Sequence, residues 1–281
     1  MTPEPRLRAL SKARRALIAD LGSRAGRERH GLFLLEGPRA IEDALGRGLA
    51  LECLVSNDDG AADVARWVAD GLVPEMTALY RAARGELERL ADTTTPQGVL
   101  AVGALPPAGL EALPEPGAGK TTSGGAPPLL LVDGVQDPGN LGTLLRTLAA
   151  VGGKVAICCT GTVDPFNPKA LRGSAGTALS LAIARGIERQ AAIAWCRERG
   201  VAIVALAAGG SDLFAGSATS GVPAGPVALA IGNEAGGLSP EIERAAAVVA
   251  GIPMEPGVES LSAAVAGSVA LYALAHHLVR G

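Results

Sequence analysis

Apolar and polar positions fall into short blocks along most of the chain, and the blocks predict its elements. Apolar runs at Leu32–Glu36, Leu51–Ser56 and Val99–Gly103 read as strands. Between them, Arg39–Arg47, Ala61–Asp70 and Gly85–Ala91 suit helices, Gly37-Pro38 a turn, and Pro74–Leu79 a short extended piece. Strands alternating with helices over this length predict a small α/β sandwich at 1–105. From Pro106 to Pro128 the pattern dissolves into Pro, Gly, Ala, Ser and Thr without periodicity, which predicts a flexible linker at 106–127.

A second α/β region is expected over 128–281. Leu129–Asp133 reads as a buried strand, followed by a helix to about Val151 and a strand at Lys154–Cys158. A short helix near Lys169, an apolar stretch at Ala178–Ala184, a helix at Arg189–Arg199 and a strand at Val201–Leu206 come next. The central element is the apolar run Val227–Ile231. It ends in a loop containing Gly232, Asn233, Glu234, Gly236 and Gly237, and Ser239, Pro240 and Glu241 then give N-cap, first-turn proline and first-turn carboxylate signals. A strand at Val248–Pro253 and a helix from about Ser260 complete the pattern. Short apolar strands alternating with helices predict a mostly parallel sheet covered on both faces, with ligands beyond the carboxyl ends of its strands.

Composition narrows the possibilities. In 281 residues, 48% are hydrophobic and only 2% aromatic, so the cores must be aliphatic. The net charge of −3 leaves any nucleic-acid contact to a local patch. One such patch is the basic amphipathic segment 1–30. There Arg6, Arg8, Lys12, Arg14, Arg15, Arg24, Arg27 and Arg29 outnumber Glu4, Asp20 and Glu28, and Leu7, Leu10, Ala13, Leu17 and Leu21 follow helical spacing. A solvated helix face is the alternative. Cys53, Cys158, Cys159 and Cys196 have no paired spacing and read as reduced, buried thiols of a cytoplasmic protein. The first residues have no apolar core and do not read as a signal peptide. Leu261–Val279 approaches membrane-spanning length, but its Ala, Ser and Gly content, with His276 and His277, favours a helix packed closely inside the protein or against a partner subunit.

Within the linker, Gly117, Gly119, Lys120 and Thr121 imitate a phosphate-binding loop. The pattern needs a glycine where Pro114 stands, a strand before it and a helix after it, and none is expected. A nucleotide-dependent α/β enzyme is therefore the weaker alternative.

Three polar, glycine-containing loops carry the chemistry: Asp133 to Arg146 with Asn140 and Thr143, Gly232 to Pro240, and Ile252 to Ser262. In this order and spacing they resemble the three motifs of the SpoU (TrmH) family of S-adenosylmethionine-dependent RNA ribose 2′-O-methyltransferases, within the SPOUT superfamily. The resemblance covers 129–281. It extends more loosely to Arg27–Arg39 and Thr95–Val102, which are similar to the family's RNA substrate-binding domain, itself like a ribosomal protein. It implies a carboxyl-terminal sheet tied as a trefoil knot, although chains in general avoid knots. It also implies a homodimer with the active site at the subunit interface.

On that resemblance Asn140, Arg146, Glu234, Ser260 and Ser262 are the expected catalytic residues. Leu206, Gly232, Asn233, Ile252, Met254 and Leu261 would hold S-adenosylmethionine. The family usually carries asparagine where this chain has Ser262, a shorter side chain with one donor. Arg6, Arg8, Lys12, Arg14, Arg15, Arg27, Arg29 and Arg39 are the expected RNA contacts. Guanidinium groups hardly deprotonate, so Arg146 is expected to contact a phosphate and stabilise alkoxide charge rather than act as a simple base. Ribosomal RNA is the expected substrate. A tRNA substrate and a catalytically weak RNA-binding relative are the alternatives, and neither a metal nor a membrane is expected.

Overall fold

A computed structural model describes residues 7–117, 126–215, 225–257 and 260–277, the side chains of His276 and His277 excepted. Arg6 and most of the glycine-lysine sequence, 118–122, lie outside the described residues. The chain divides into two compact units, Met1–Pro106 with Phe166–Leu179, and Pro107–Pro165 with Ser180–Gly281.

The first unit contains strands β1 (Arg8–Ala9), β2 (Leu32–Glu36), β3 (Leu51–Ser56), β4 (Ala78–Arg81) and β5 (Val99–Ala104). They form one mixed sheet in the order β1-β4-β3-β5-β2. Helices α1 (Lys12–Asp20), α2 (Arg24–His30), α3 (Pro38–Gly46), α4 (Ala61–Ala69) and α5 (Arg84–Leu90) complete it. The helix Pro168–Gly173 (α7 along the chain) also belongs to this unit. Its Arg172 pairs with Asp92 at 2.6 Å and with the buried Glu36 at 3.3 Å.

The amino-terminal segment is not one amphipathic helix. Ser11 caps α1, and a second cap at Ser23 starts α2. The break resets the helical phase, so Leu10, Ile18 and Leu21 are buried while Ala13 is exposed. The two helices cross so closely that a Cβ at Gly26 would lie 2.0 Å from the Asp20 carbonyl oxygen.

The second unit holds β6 (Leu129–Asp133), α6 (Pro138–Ala150), β7 (Val155–Cys159), β8 (Ala182–Ile187), α8 (Arg189–Glu198), β9 (Ala202–Asp212), β10 (Val227–Gly232), α9 (Pro240–Ala245), β11 (Val248–Gly251) and α10 (Ala263–His277). The sheet order is β11-β9-β10-β6-β7-β8, and every pair is parallel. Alternate residues of the strands face opposite layers. Leu129, Leu131, Ala228 and Ala230 join Trp195 and Ile242 in one core, while α10 packs against α6 and β10. Close packing of α10 depends on its small residues: a Cβ at Gly267 would meet the Leu144 side chain at 2.3 Å. Among the described residues no helix is long and apolar enough to cross a membrane.

Two details of this sheet shape the site. Strand β11 lies outside β9, yet α10 packs over β10 and α6, so the chain crosses back past β9, the crossing that a knotted carboxyl terminus requires. Strand β9 is longer than the expected Val201–Leu206, and its register with β11 jumps from Ala205 opposite Val249 to Ser211 opposite Ala250. Residues 206–210 therefore bulge away from the ladder.

The start of the segment expected as a linker is packed: Leu110 and Leu113 rest on the second unit's core, and the Arg185 backbone amide donates to the Ala108 carbonyl. All four cysteines are free and buried. Burial pushes their thiols up, Cys53 to about 11 and Cys159 and Cys196 to about 12, so they remain protonated and inert.

Candidate active site

The carboxyl edge of β9, β10 and β11 surrounds a cavity of about 430 Å³. Its walls come from the β9 bulge, the loop after β10, the segment after β11 and the start of α10. All six residues expected at the cofactor line it: Leu206, Gly232, Asn233, Ile252, Met254 and Leu261. Glu234, Ser260 and Ser262 line it as well. Asn140 and Arg146 do not.

The loops after β6 and β10 are bound to each other. Glu234 accepts from the backbone amides of Gln136 at 3.2 Å and Asp137 at 3.4 Å, and from the Asn140 side chain at 3.0 Å. Partial burial pushes the Glu234 carboxyl up, but hydrogen bonds from Asn140 and from the backbone amides of Glu234, Gln136 and Asp137 hold it below its ordinary value. Asn140 thus reaches the site through Glu234 rather than by lining the cavity.

Asn233 folds the β10 loop. Its carboxamide oxygen accepts from Ala235 and Gly236, its Nδ2 donates to the Gly134 carbonyl at 2.8 Å, and its backbone pairs with Gly237 in both directions. Its side chain and its backbone N–H and C=O are all engaged within the protein, so Asn233 shapes the loop that walls the cavity. The fold leaves no room for a side chain at Gly232: a Cβ there would lie 2.1 Å from the carbonyl carbon of Gly237.

Asp133, Arg189 and Thr162 were not among the expected site residues. Asp133, buried at the end of β6, accepts from Arg189 Nε at 2.7 Å through one oxygen and from the Ser239 amide at 2.8 Å through the other. Thr162 accepts from the Gly134 amide and donates to the Val132 carbonyl. A carboxylate ending an apolar strand was the available signal for Asp133; its partners are 56 and 106 residues away in sequence.

Ser262 is explained differently from expectation. The last helix starts at Ala263, not Ser260. Ser262 is its N-cap, with Oγ accepting from Val265 N at 3.3 Å and its carbonyl accepting from Ala266 N. Serine and asparagine cap helices about equally well, so the departure from the family's usual residue preserves this function.

Arg146 is exposed on α6, and no hydrogen bond or ion pair holds its side chain among the described residues. Six residues separate it from Asn140, which places the two about 120° apart around the helix and ~9 Å apart along it. One chain therefore brings Asn140 and Glu234 together but leaves Arg146 outside the cavity.

The basic residues of the first unit also sort by structure. Arg27 is corrected as an RNA contact: its buried guanidinium donates to the Leu21 and Gly22 carbonyl oxygens and fixes the α1–α2 turn. Arg14, Arg15 and Arg29 pair with Glu52, Glu86 and Asp20. Arg8, Lys12 and Arg39 are exposed without such partners among the described residues. The described residues contain no group of three or more His, Cys, Asp or Glu side chains able to hold a metal ion.

Comparison with known proteins accords with this geometry. Residues 127–272 match the SpoU rRNA Methylase family, and residues 16–101 match the MRM3-like substrate binding domain. The chain belongs to the SpoU rRNA methylase family, and it is an S-adenosylmethionine-dependent RNA methyltransferase. It is 28% identical over 261 residues to the 23S rRNA (guanosine(2553)-2'-O)-methyltransferase RlmP of Bacillus subtilis, covering 90% of this chain and 92% of that one. It is 29% identical to the 23S rRNA (uridine(2479)-2'-O)-methyltransferase of Streptomyces viridochromogenes, covering 93% and 88%. The crystal structure of the SpoU methyltransferase AviRb from the same organism, in complex with the cofactor AdoMet, superposes with a TM-score of 0.78. That match has 28% identity and covers 96% of this chain and 98% of that one.

Proposed function

We propose that the protein transfers a methyl group from S-adenosylmethionine to a ribose 2′-hydroxyl of ribosomal RNA. The observation that carries this reading is the three-loop cavity at the carboxyl edge of a parallel sheet, with Glu234 braced at its rim. Its volume is that of a small-molecule site. Leu206, Ile231, Leu238, Ile252 and Leu261 offer apolar walls to an adenine ring, and Gly232 and Gly237, without side chains, let the ligand approach the backbone closely. The 2′-O-methyltransferases of 23S rRNA that align with nearly the whole chain support ribosomal RNA as the substrate.

The cofactor supplies an activated methyl on a sulfonium; orientation and proton management fall to the protein. Asn140 and Glu234 hold the first two loops in register, and Ser260 and Leu261 close the cavity from the third. Arg146 contacts the target phosphate and stabilises charge developing on the 2′-oxygen, while the proton passes to water or phosphate. Because Arg146 is exposed and does not line its own chain's cavity, we read the catalytic site as completed by a second copy of the chain. The exposed Val265 and Tyr272 on α10, which packs on α6, support that pairing. Arg8, Lys12 and Arg39 are the phosphate contacts this reading retains in the first unit. The buried, protonated thiols suit the reducing cytoplasm.

Incubation with methyl-labelled cofactor and either ribosomal RNA or tRNA, followed by mapping of alkali-resistant linkages, tests the reading. Label at one ribose of ribosomal RNA is expected. Label only on tRNA or on a base would overturn it. Sedimentation should give the mass of a dimer, and a monomer that methylates at full rate would refute the shared site.

A further inference from the structure

The residues lining the cavity include two carboxylates, Glu234 and Glu243, and no Lys, Arg or His. An adjoining cavity shares Ile252 and Met254 with it and adds Asp212 and Glu255, again without a cation. The two cavity carboxylates are not equivalent. The Glu234 charge is spread over two backbone amides and the Asn140 amide. Glu243, in α9, has no hydrogen-bonding or ionic partner for its side chain among the described residues. Glu243 is exposed, so solvent screens part of its charge, and the remainder acts on whatever occupies the cavity it lines.

We propose that this one-signed lining makes the site select the charge on its ligand's sulfur, with Glu243 the residue that sets the preference. The inference rests on the methyl-transfer reading. In the transfer, the sulfur–methyl bond breaks with its electron pair staying on sulfur, the ribose oxygen bonds the methyl, and its proton leaves to solvent. The cofactor thereby loses one positive charge and keeps its other groups. Attraction to the carboxylates falls at that moment, so the thioether product is held less tightly than the sulfonium substrate. Product leaves readily and inhibits weakly.

Calorimetric titration of the full chain with S-adenosylmethionine, S-adenosylhomocysteine and the amine analogue sinefungin tests this. In wild type both cationic ligands should bind more tightly than the neutral thioether. Glu243→Gln should weaken the two cations on the order of three- to tenfold, leave the thioether unchanged, and raise product inhibition relative to substrate affinity. Glu243→Asp should retain the preference, and added salt should reduce it in wild type. Equal weakening of all three ligands in Glu243→Gln, or no change in any, would overturn the inference and leave the methyl-transfer reading standing. Failure of wild type to bind any of the three would overturn that reading and this inference with it.

Discussion

The loop after β10, braced by the loop after β6, and the loop after β11 wall one cavity but are built in opposite ways. The first two are tied together by Glu234, Asn140, Asn233 and Asp133, whose bonds cross between them or brace the turn after β10. The third is mostly exposed from Pro253 to Gly257 and again from Ser260, and its described side-chain anchor is the Ser262 cap. The difference teaches that half of the cavity is preorganised by the sheet edge, while the other half is set by where one helix begins. The braced half holds its groups in fixed positions, and the half with fewer anchors has the more freedom to move.

Arg146→Ala separates the chemistry from both halves, since it removes no bond of either. Turnover should fall by about 10²–10³ while cofactor affinity in calorimetry stays within twofold (roughly the scale of losing one charge-stabilising donor). Comparable loss of binding would mean that the arginine belongs to the cofactor site instead.

Gly232→Ala attacks the rigid half where a Cβ would overlap the Gly237 backbone. Overpacking of this kind costs about 1–3 kcal/mol. Thermal melting and cofactor titration should both deteriorate, and a variant with wild-type melting would show that the turn is soft.

The Glu234 brace is sensitive to acid. Its carboxyl is held below the ordinary value in the folded protein, so its contribution is complete above the unfolded value of about 4.3 and is lost as pH falls through the lower folded value. Glu234→Gln should remove that acid limb from cofactor affinity measured between neutral pH and the onset of unfolding. An unchanged limb would assign it to another carboxylate.

Ser262→Ala probes the looser half and has the smallest expected effect. Loss of the cap should cost ~1 kcal/mol in chemical denaturation, and Ser262→Asn should restore it. Failure of asparagine to rescue stability would mean that Ser262 serves the ligand rather than the helix.

Most elements were legible along the chain because burial writes its own period. The run Leu51–Ser56 is a strand with the expected bounds, and Val227–Ile231 sits at the heart of the parallel sheet with one more residue, Gly232, at its end. The glycine-rich turns were legible too, since a Gly232 that cannot carry a Cβ leaves its mark in any sequence. Less visible was the break in the amino-terminal helix, where the same leucine spacing fits one helix or two. Arg27 looked like its neighbours although its guanidinium is consumed by a turn.

By itself, then, the sequence determined the order of strands and helices and the three polar loops, because each of these depends on local periodicity or on a local backbone requirement; the residues expected to wall the cavity came from the resemblance of those loops to a family. Tertiary structure alone decided that β9 bulges at 206–210, that Asp133 braces Ser239, that Ser262 caps a helix, and that Arg146 stands outside its own cavity. The Ser262 cap depends on where the last helix begins; the bulge and the Asp133 brace rest on register or side-chain direction between segments dozens of residues apart, and no local pattern in a chain encodes such a meeting.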